Sequence, residues 1–334
     1  MNTLLHALRR ALIAFAVAFL FVVTSSRPAA AAPDQVKVKR LTFPVRLSDG
    51  NTYSIVGYLY YEGTYTHRTL QVALHGGTYN HEYWDIPTID GNNYSYARYM
   101  AQQNYAVLAL DQLGAGESSN PDGDFLTLSE VASGVHQVLS SLRSRHNPAH
   151  HAFEKIVLVG HSLGAVMGTY VQAVYDDADA LVSTGSLHAP YELPVSTETF
   201  LELLVAPYFE FPPALREFLF YHAPAVDPDV IVFDNTELSD VMARGFFTTT
   251  VLNLYDTTIT KVDQVTGPVL VQLGEYDAIA PGSFAAEEAT YWSSASDLSV
   301  EVLPGIGHDF NSHLDREDGW KQIDDWIGDR FGCR

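Results

Sequence analysis

Hydrophobic positions along this chain keep two periods. Between residues 36 and 63 they alternate with polar ones, in "VKVKRLTFPVRL" and "TYSIVGYLYYEG", on either side of "SDGN". Alternation among β-branched and aromatic residues around Asp-Gly predicts an antiparallel hairpin. The pattern then changes. "TLQVALHGG", "NYAVLALD", "KIVLVG", "ALVSTGS", "GPVLVQLG" and "LSVEVLPG" are short, nearly unbroken apolar runs. Between them lie "YSYARYMAQQ", "LTLSEVASGVHQVLSSLRSRH", "SLGAVMGTYVQAVY" and "FAAEEATYW", and after them "DGWKQIDDWIGDRF", which read as helices. Apolar strands alternating with helices predict an α/β fold whose sheet is mostly parallel and covered on both faces.

Residues 188–262 break this rhythm and read as an insertion in one catalytic domain spanning 33–334. The insertion carries eleven aromatics from Tyr191 to Phe247, among them Tyr208, Phe209, Phe211, Phe218, Phe220 and Tyr221. They predict a cap packed on the body, with some rings lining an apolar pocket.

Residues 1–32 stand apart. Arg9 and Arg10 precede the apolar run "ALIAFAVAFLFVV", and "TSSRPAAAAPDQ" supplies small residues for cleavage near Ala31 or Ala32. This is the three-part pattern of a secretory signal peptide, and the run is short for a bilayer span. The expected place of the mature protein is therefore extracellular. Without Arg9, Arg10 and Arg27, sixteen basic residues face forty acidic ones, a formal charge near −24. Such a surface repels nucleic acid and anionic lipid, so no nucleic-acid partner and no stable membrane association are expected after cleavage. The one cysteine, Cys333, cannot form an internal disulfide, so stability rests on packing.

Candidate chemistry centres on "VLVGHSLGAV". Ser162 lies between Gly160 and Gly164, where a strand ends and a helix begins. A sharp turn there holds a serine out at a helix N-terminus, where exposed N–H groups favour negative charge. A serine hydroxyl needs a base, and the base needs an orienting acid. Downstream, Asp277 follows one predicted strand and His308 the last. Glu275 and Asp263 are the alternative acids. A tetrahedral oxyanion needs two N–H donors. Leu163, after the serine, offers one, and Gly77 or Thr78 in "HGGTYNHEYW" offers the other.

With "HGG" (75–77), "DQLGAGES" (111–118), "GHSLG" (160–164), "GEYDAIAP" (274–281) and "GIGHDF" (305–310), the chain resembles the α/β-hydrolase superfamily over most of residues 40–330. More narrowly it is similar to bacterial serine hydrolases whose oxyanion loop continues as "TYNHEYWD". The resemblance implies a twisted sheet with helices on both faces and a helical cap insertion. It also implies a Ser162–His308–Asp277 triad. Gln112 stands where such relatives often carry Arg. His75 and His161 are expected to support the site, His188 to line the pocket or pack, and Asp309 and His313 to neighbour the base. The histidines of "RHNPAHH" (145–151) lack the convergence a metal site needs, and no metal or cofactor is expected. The expected activity is hydrolysis of a small, neutral, hydrophobic ester or lactone. A serine peptidase or aminopeptidase and a non-catalytic binding protein on the same fold are the alternatives.

Overall fold

The computed structural model describes residues 35–332, so residues 1–32, where a signal peptide is expected, and Cys333 lie outside the described residues. Eight strands form the main sheet. They are β1 (Val36–Arg46), β2 (Thr52–Glu62), β3 (Leu70–Leu74), β4 (Ala106–Asp111), β5 (Ile156–His161), β6 (Ala180–Thr184), β7 (Pro268–Gly274) and β8 (Asp297–Leu303). Their spatial order is β1-β2-β4-β3-β5-β6-β7-β8. β1 pairs antiparallel with β2, and β2 with β4; every later pairing is parallel.

Burial explains the two hydrophobic periods. In β1, Leu41, Phe43 and Val45 face inward while Thr42, Pro44 and Arg46 face water. Each residue of β3, β4, β5 and β6 is buried, because helices cover both faces of the central sheet. The helices are α1 (Tyr96–Gln102), α2 (Leu128–Leu142), α3 (Leu163–Tyr175), α4 (Thr197–Leu203), α5 (Pro213–Phe220), α6 (Pro228–Phe233), α7 (Arg244–Val251), α8 (Thr257–Thr260), α9 (Ala285–Glu288) and α10 (Arg316–Phe331). Side-chain oxygens of Ser95 and Thr127 accept from Arg98 N–H and Glu130 N–H, which starts α1 and α2 where the sequence places them. Among the described residues no helix is long and apolar enough to cross a membrane.

One element is shorter than its sequence predicts. "FAAEEATYW" gives a single helical turn, α9, followed by turns. Glu288 points inward and accepts the backbone N–H of His188 at 2.6 Å and the indole N–H of Trp292 at 2.9 Å. That buried carboxylate anchors Glu288 and Trp292 inward, where the helical turn gives way to turns.

The stretch between β6 and β7 contains α4 to α8 and a two-stranded ribbon, Tyr208–Phe209 with Met242–Ala243. Its helices are four to eight residues long. Helices this short are held by packing rather than by their own propensity.

Candidate active site

Ser162 sits between β5 and α3 with φ 53° and ψ −122°, a backbone conformation rare for a side-chain-bearing residue. The flanking glycines make that turn possible. A Cβ on Gly160 would lie 2.5 Å from the Gly164 carbonyl oxygen. One on Gly164 would lie 2.3 Å from that of Leu74. Only bare backbone lets α3 pack this closely on β5 and β3. The hydroxyl therefore stands at the C-terminal edge of the sheet, at the N-terminus of a thirteen-residue helix.

His308 and Asp277 reach Ser162 from the loops after β8 and β7. Ser162 Oγ is 2.9 Å from His308 Nε2. His308 Nδ1 is 3.0 and 2.9 Å from the two Asp277 oxygens. Both side chains are buried. With Nδ1–H directed at the carboxylate, Nε2 is the free acceptor for the serine proton. Asp277 Oδ1 also accepts the N–H groups of Ile279 and Ala280, at 2.7 and 2.8 Å, which fixes its rotamer. Glu275 instead accepts the Gly305 N–H, and Asp263 lies in a 3₁₀ turn before β7; neither bonds His308.

The loop after β3 closes the other side. A Cβ on Gly76 would lie 3.2 Å from Ser162 Cβ, and one on Gly77 3.0 Å from a Leu163 methyl. Gly77, Ser162 and Leu163 line one cavity, whereas Thr78 does not reach it. No hydrogen bond occupies the N–H of Gly77 or Leu163 among the described residues. Thr78 is buried at φ 60°, and its carbonyl accepts the N–H of Asp240 from the insertion.

A family model described as serine aminopeptidase, S33, matches residues 91–315. The chain belongs to this family of α/β-hydrolases. Solved structures agree in fold. The monoacylglycerol lipase of Paleococcus ferrophilus superposes with TM-score 0.61 at 16% identity, covering 87% of this chain and 98% of that one. A thermophilic esterase from Thermogutta terrifontis gives 0.61 at 18%, covering 86% and 98%. E-2-(acetamidomethylene)succinate hydrolase gives 0.56 at 21%, covering 86% and 99%. No curated protein sequence matches the chain.

In this S33-family hydrolase the cavity at Ser162 has a volume of about 70 Å³ and is walled almost wholly by carbon. Of the eleven insertion aromatics, Phe200, Phe211, Phe220 and Phe247 line it. The others have other work. Tyr208 donates to the Pro121 carbonyl, Tyr191 packs on Phe284, and Phe218 is exposed.

Other histidines of the hydrolase brace the site or pack in the body. His75 donates from Nδ1 to the Gly76 carbonyl at 2.8 Å and accepts the Gln112 N–H at 3.2 Å. Gln112 returns its amide to the His75 carbonyl at 2.6 Å, so it braces the oxyanion loop from below. His161 stacks on Tyr83, and burial holds it neutral, well below the usual imidazole range. His188 is buried against Glu288 at 2.7 Å, away from the cavity. His151 packs edge-on against Phe153.

Two neighbours of the base do more than adjacency suggested. His313 Nε2 accepts the N–H groups of Gly307 and His222, and its Nδ1 donates to the Asp309 carbonyl. Burial pushes its pKa down to about 4, so the ring is a neutral bracket for the His308 loop. Asp309 is fully buried and accepts the hydroxyls of Tyr79 and Ser312, each at 2.9 Å. Desolvation, with Asp234 nearby, pushes it up to about 6. Sequence reasoning also passed over Arg216, Asp234 and Asp240 in the insertion, which carry no motif.

Proposed function

We propose that the protein is an exported serine hydrolase that cleaves the carboxylic ester or lactone bond of a small, neutral, hydrophobic substrate. Ser162 attacks the carbonyl carbon while His308 takes its proton. Asp277 fixes the histidine tautomer and stabilises the imidazolium. The N–H groups of Gly77 and Leu163 receive the oxyanion. The imidazolium then gives its proton to the departing alkoxide. Water deacylates the enzyme with His308 as base, which releases the acid and restores Ser162.

The observation that carries this reading is the hydrogen-bonded chain Ser162–His308–Asp277 opening into a carbon-walled cavity. The same chain of groups can cleave amides, and the family's description names an aminopeptidase. An aminopeptidase must hold a substrate ammonium, and a buried cation needs an anionic or strongly polar partner. Among the described residues lining this cavity there is no Asp or Glu. A hydrophobic acyl group suits such a wall. The lipase and esterase folds named above are compatible with it, and the leader at residues 1–32 supports export.

The test is a panel of p-nitrophenyl esters, lactones and amino-acid anilides on the purified protein. Esters or lactones are expected to turn over and anilides not. Ser162→Ala is expected to lower kcat on the order of 10⁴-fold or more. Full turnover by that variant would falsify the mechanism. Preferential cleavage of anilides would replace the substrate class. Fluorophosphonate labelling of Ser162 separates an active site from a binding protein on the same fold.

A further inference from the structure

Arg216 is the largest of the fully buried side chains, and it comes from helix α5 of the insertion. Burying a guanidinium is costly unless each arm finds a partner. Here each does. Its Nε donates to Asp234 at 3.1 Å and its Nη2 to the second oxygen of the same carboxylate. Its Nη1 crosses into the body and donates to the Thr78 hydroxyl at 2.9 Å, with the Thr78 carbonyl at 3.4 Å. The guanidinium carbon lies 4.6 Å from the Tyr79 ring centre and 5.2 Å from that of Phe220.

The residue it grips is strained. Thr78 is β-branched and sits at φ 60°, where such side chains are seldom found. A conformation of this kind persists only when the surroundings over-determine it. Three contacts do so, all from the insertion: the two from Arg216, and the N–H of Asp240 on the Thr78 carbonyl at 2.9 Å. Thr78 directly follows Gly77, which lines the Ser162 cavity and whose N–H makes no hydrogen bond among the described residues. The next residue, Tyr79, bonds Asp309 beside His308. The Asp309 N–H in turn donates to the Phe220 carbonyl at the end of α5. One buried network therefore ties the insertion to both the oxyanion loop and the histidine loop.

We propose that Arg216, paired with Asp234, is a positioning residue that holds Thr78 in its left-handed conformation and so aims the Gly77 N–H at the oxyanion. The insertion is then part of the catalytic geometry and not only the wall of a pocket. This rests on the ester-hydrolysis reading above. Loss of the grip lets Thr78 relax to negative φ, which turns the neighbouring peptide groups. The hole would then lose a donor that matters only once negative charge develops.

The test compares an oxoester with its thionoester in Arg216→Lys, which keeps the charge and loses the planar fork. Sulfur accepts hydrogen bonds more weakly than oxygen. An intact hole therefore favours the oxoester, and a damaged one favours it less. The expected result is a kcat for the oxoester lower by on the order of 10²-fold, with KM changed little. The oxo-to-thiono rate ratio should fall about tenfold. If Arg216→Lys does not fold, Thr78→Val removes only the hydroxyl contact and should show the same selective change at a smaller size. Equal losses on both substrates, or an unchanged oxoester kcat in a folded variant, would overturn the proposal. Ser162→Ala run alongside keeps the two ideas apart. If it stays active, the ester-hydrolysis reading fails. If it is dead while the Arg216 and Thr78 variants keep full kcat and ratio, only the positioning role fails.

Discussion

The edge of the sheet that presents Ser162 and the insertion that covers it are held by different means. In the body, backbone lies against backbone. A Cβ on Gly164 would sit 2.3 Å from the Leu74 oxygen, and one on Gly274 2.6 Å from the Ile306 oxygen. Parallel strands set the loops that carry Ser162, Asp277 and His308, so geometry there comes from the ladder itself. In the insertion, helices of at most eight residues are pinned by side chains. Phenylalanines pack with one another, as Phe209, Phe211 and Phe247 do, and one buried ion pair joins α5 to Asp234. The difference assigns tasks. A lattice of backbone contacts suits atoms that must not move, whereas packing among the phenylalanines lets a pocket change shape without losing the reacting groups.

Substitutions in the body should therefore be severe and insensitive to substrate. Asp277→Asn keeps the size of the acid but lets His308 adopt the wrong tautomer. Its kcat is expected to drop on the order of 10⁴-fold on each ester tested, with little change in melting temperature. A drop confined to one substrate would show that the body does not act independently of the insertion. Gly164→Ala should strain the fold itself, because its methyl meets carbonyl oxygens of Leu74 and His75 rather than movable side chains. A destabilisation of about 3 kcal/mol is expected, seen as a melting temperature lower by roughly 5 °C. An unchanged melting curve would mean the elbow has slack that the contacts do not show.

The same difference decides what could be read from the chain. The order of strands and helices was legible because burial on both faces leaves unbroken apolar runs, as in "KIVLVG". Ser162, Asp277 and His308 were legible because each follows such a run. Gly77 and Thr78 could not be told apart in the sequence, since what separates them is which one faces the cavity. Arg216 and Asp234 left no trace, because they stand eighteen positions apart and neither belongs to a motif. His188 was legible as a residue that lines the pocket or packs, but its partner was not. Its partner Glu288 is a hundred residues away, and only folding brings them together. Local signals report local structure; a buried ion pair between short helices is set by tertiary packing alone.

Substitutions at insertion residues that only line the cavity, outside the Arg216 network, should instead be mild and selective. Phe247→Ala removes a ring that lines the cavity and packs on Phe200. KM for esters with bulky acyl groups is expected to rise about tenfold, the worth of one buried aromatic face, while acetate esters are barely affected. A chain-length profile of kcat/KM measures this. A uniform fall across chain lengths would place Phe247 among the groups that hold the body.

The smallest effect expected is the parent's own change of stability with pH, where two opposed titrations nearly cancel, and it tests the seam between the two regions. Asp309 titrates near 6 in the fold, above its ordinary 3.8, because burial disfavours its charge. The folded state therefore holds this proton longer than the unfolded one. Its contribution is full below about pH 4 and is lost as pH rises through about 6. His313 does the reverse. Burial holds it near 4, below its ordinary 6.5, so its contribution is full above 6.5 and lost as pH falls through about 4. The two slopes oppose each other over nearly the same window, each worth about 3 kcal/mol across its span. Removing one should expose the other. Relative to the parent, Asp309→Asn should gain stability with rising pH between 4 and 6, and His313→Gln should lose it. Urea melts at half-unit steps from pH 4 to 7 measure both. Parallel curves for parent and Asp309→Asn would show that the carboxylate is already ionised at pH 4. The Tyr79 and Ser312 hydroxyls, which favour the charged form, would then outweigh the cost of its burial.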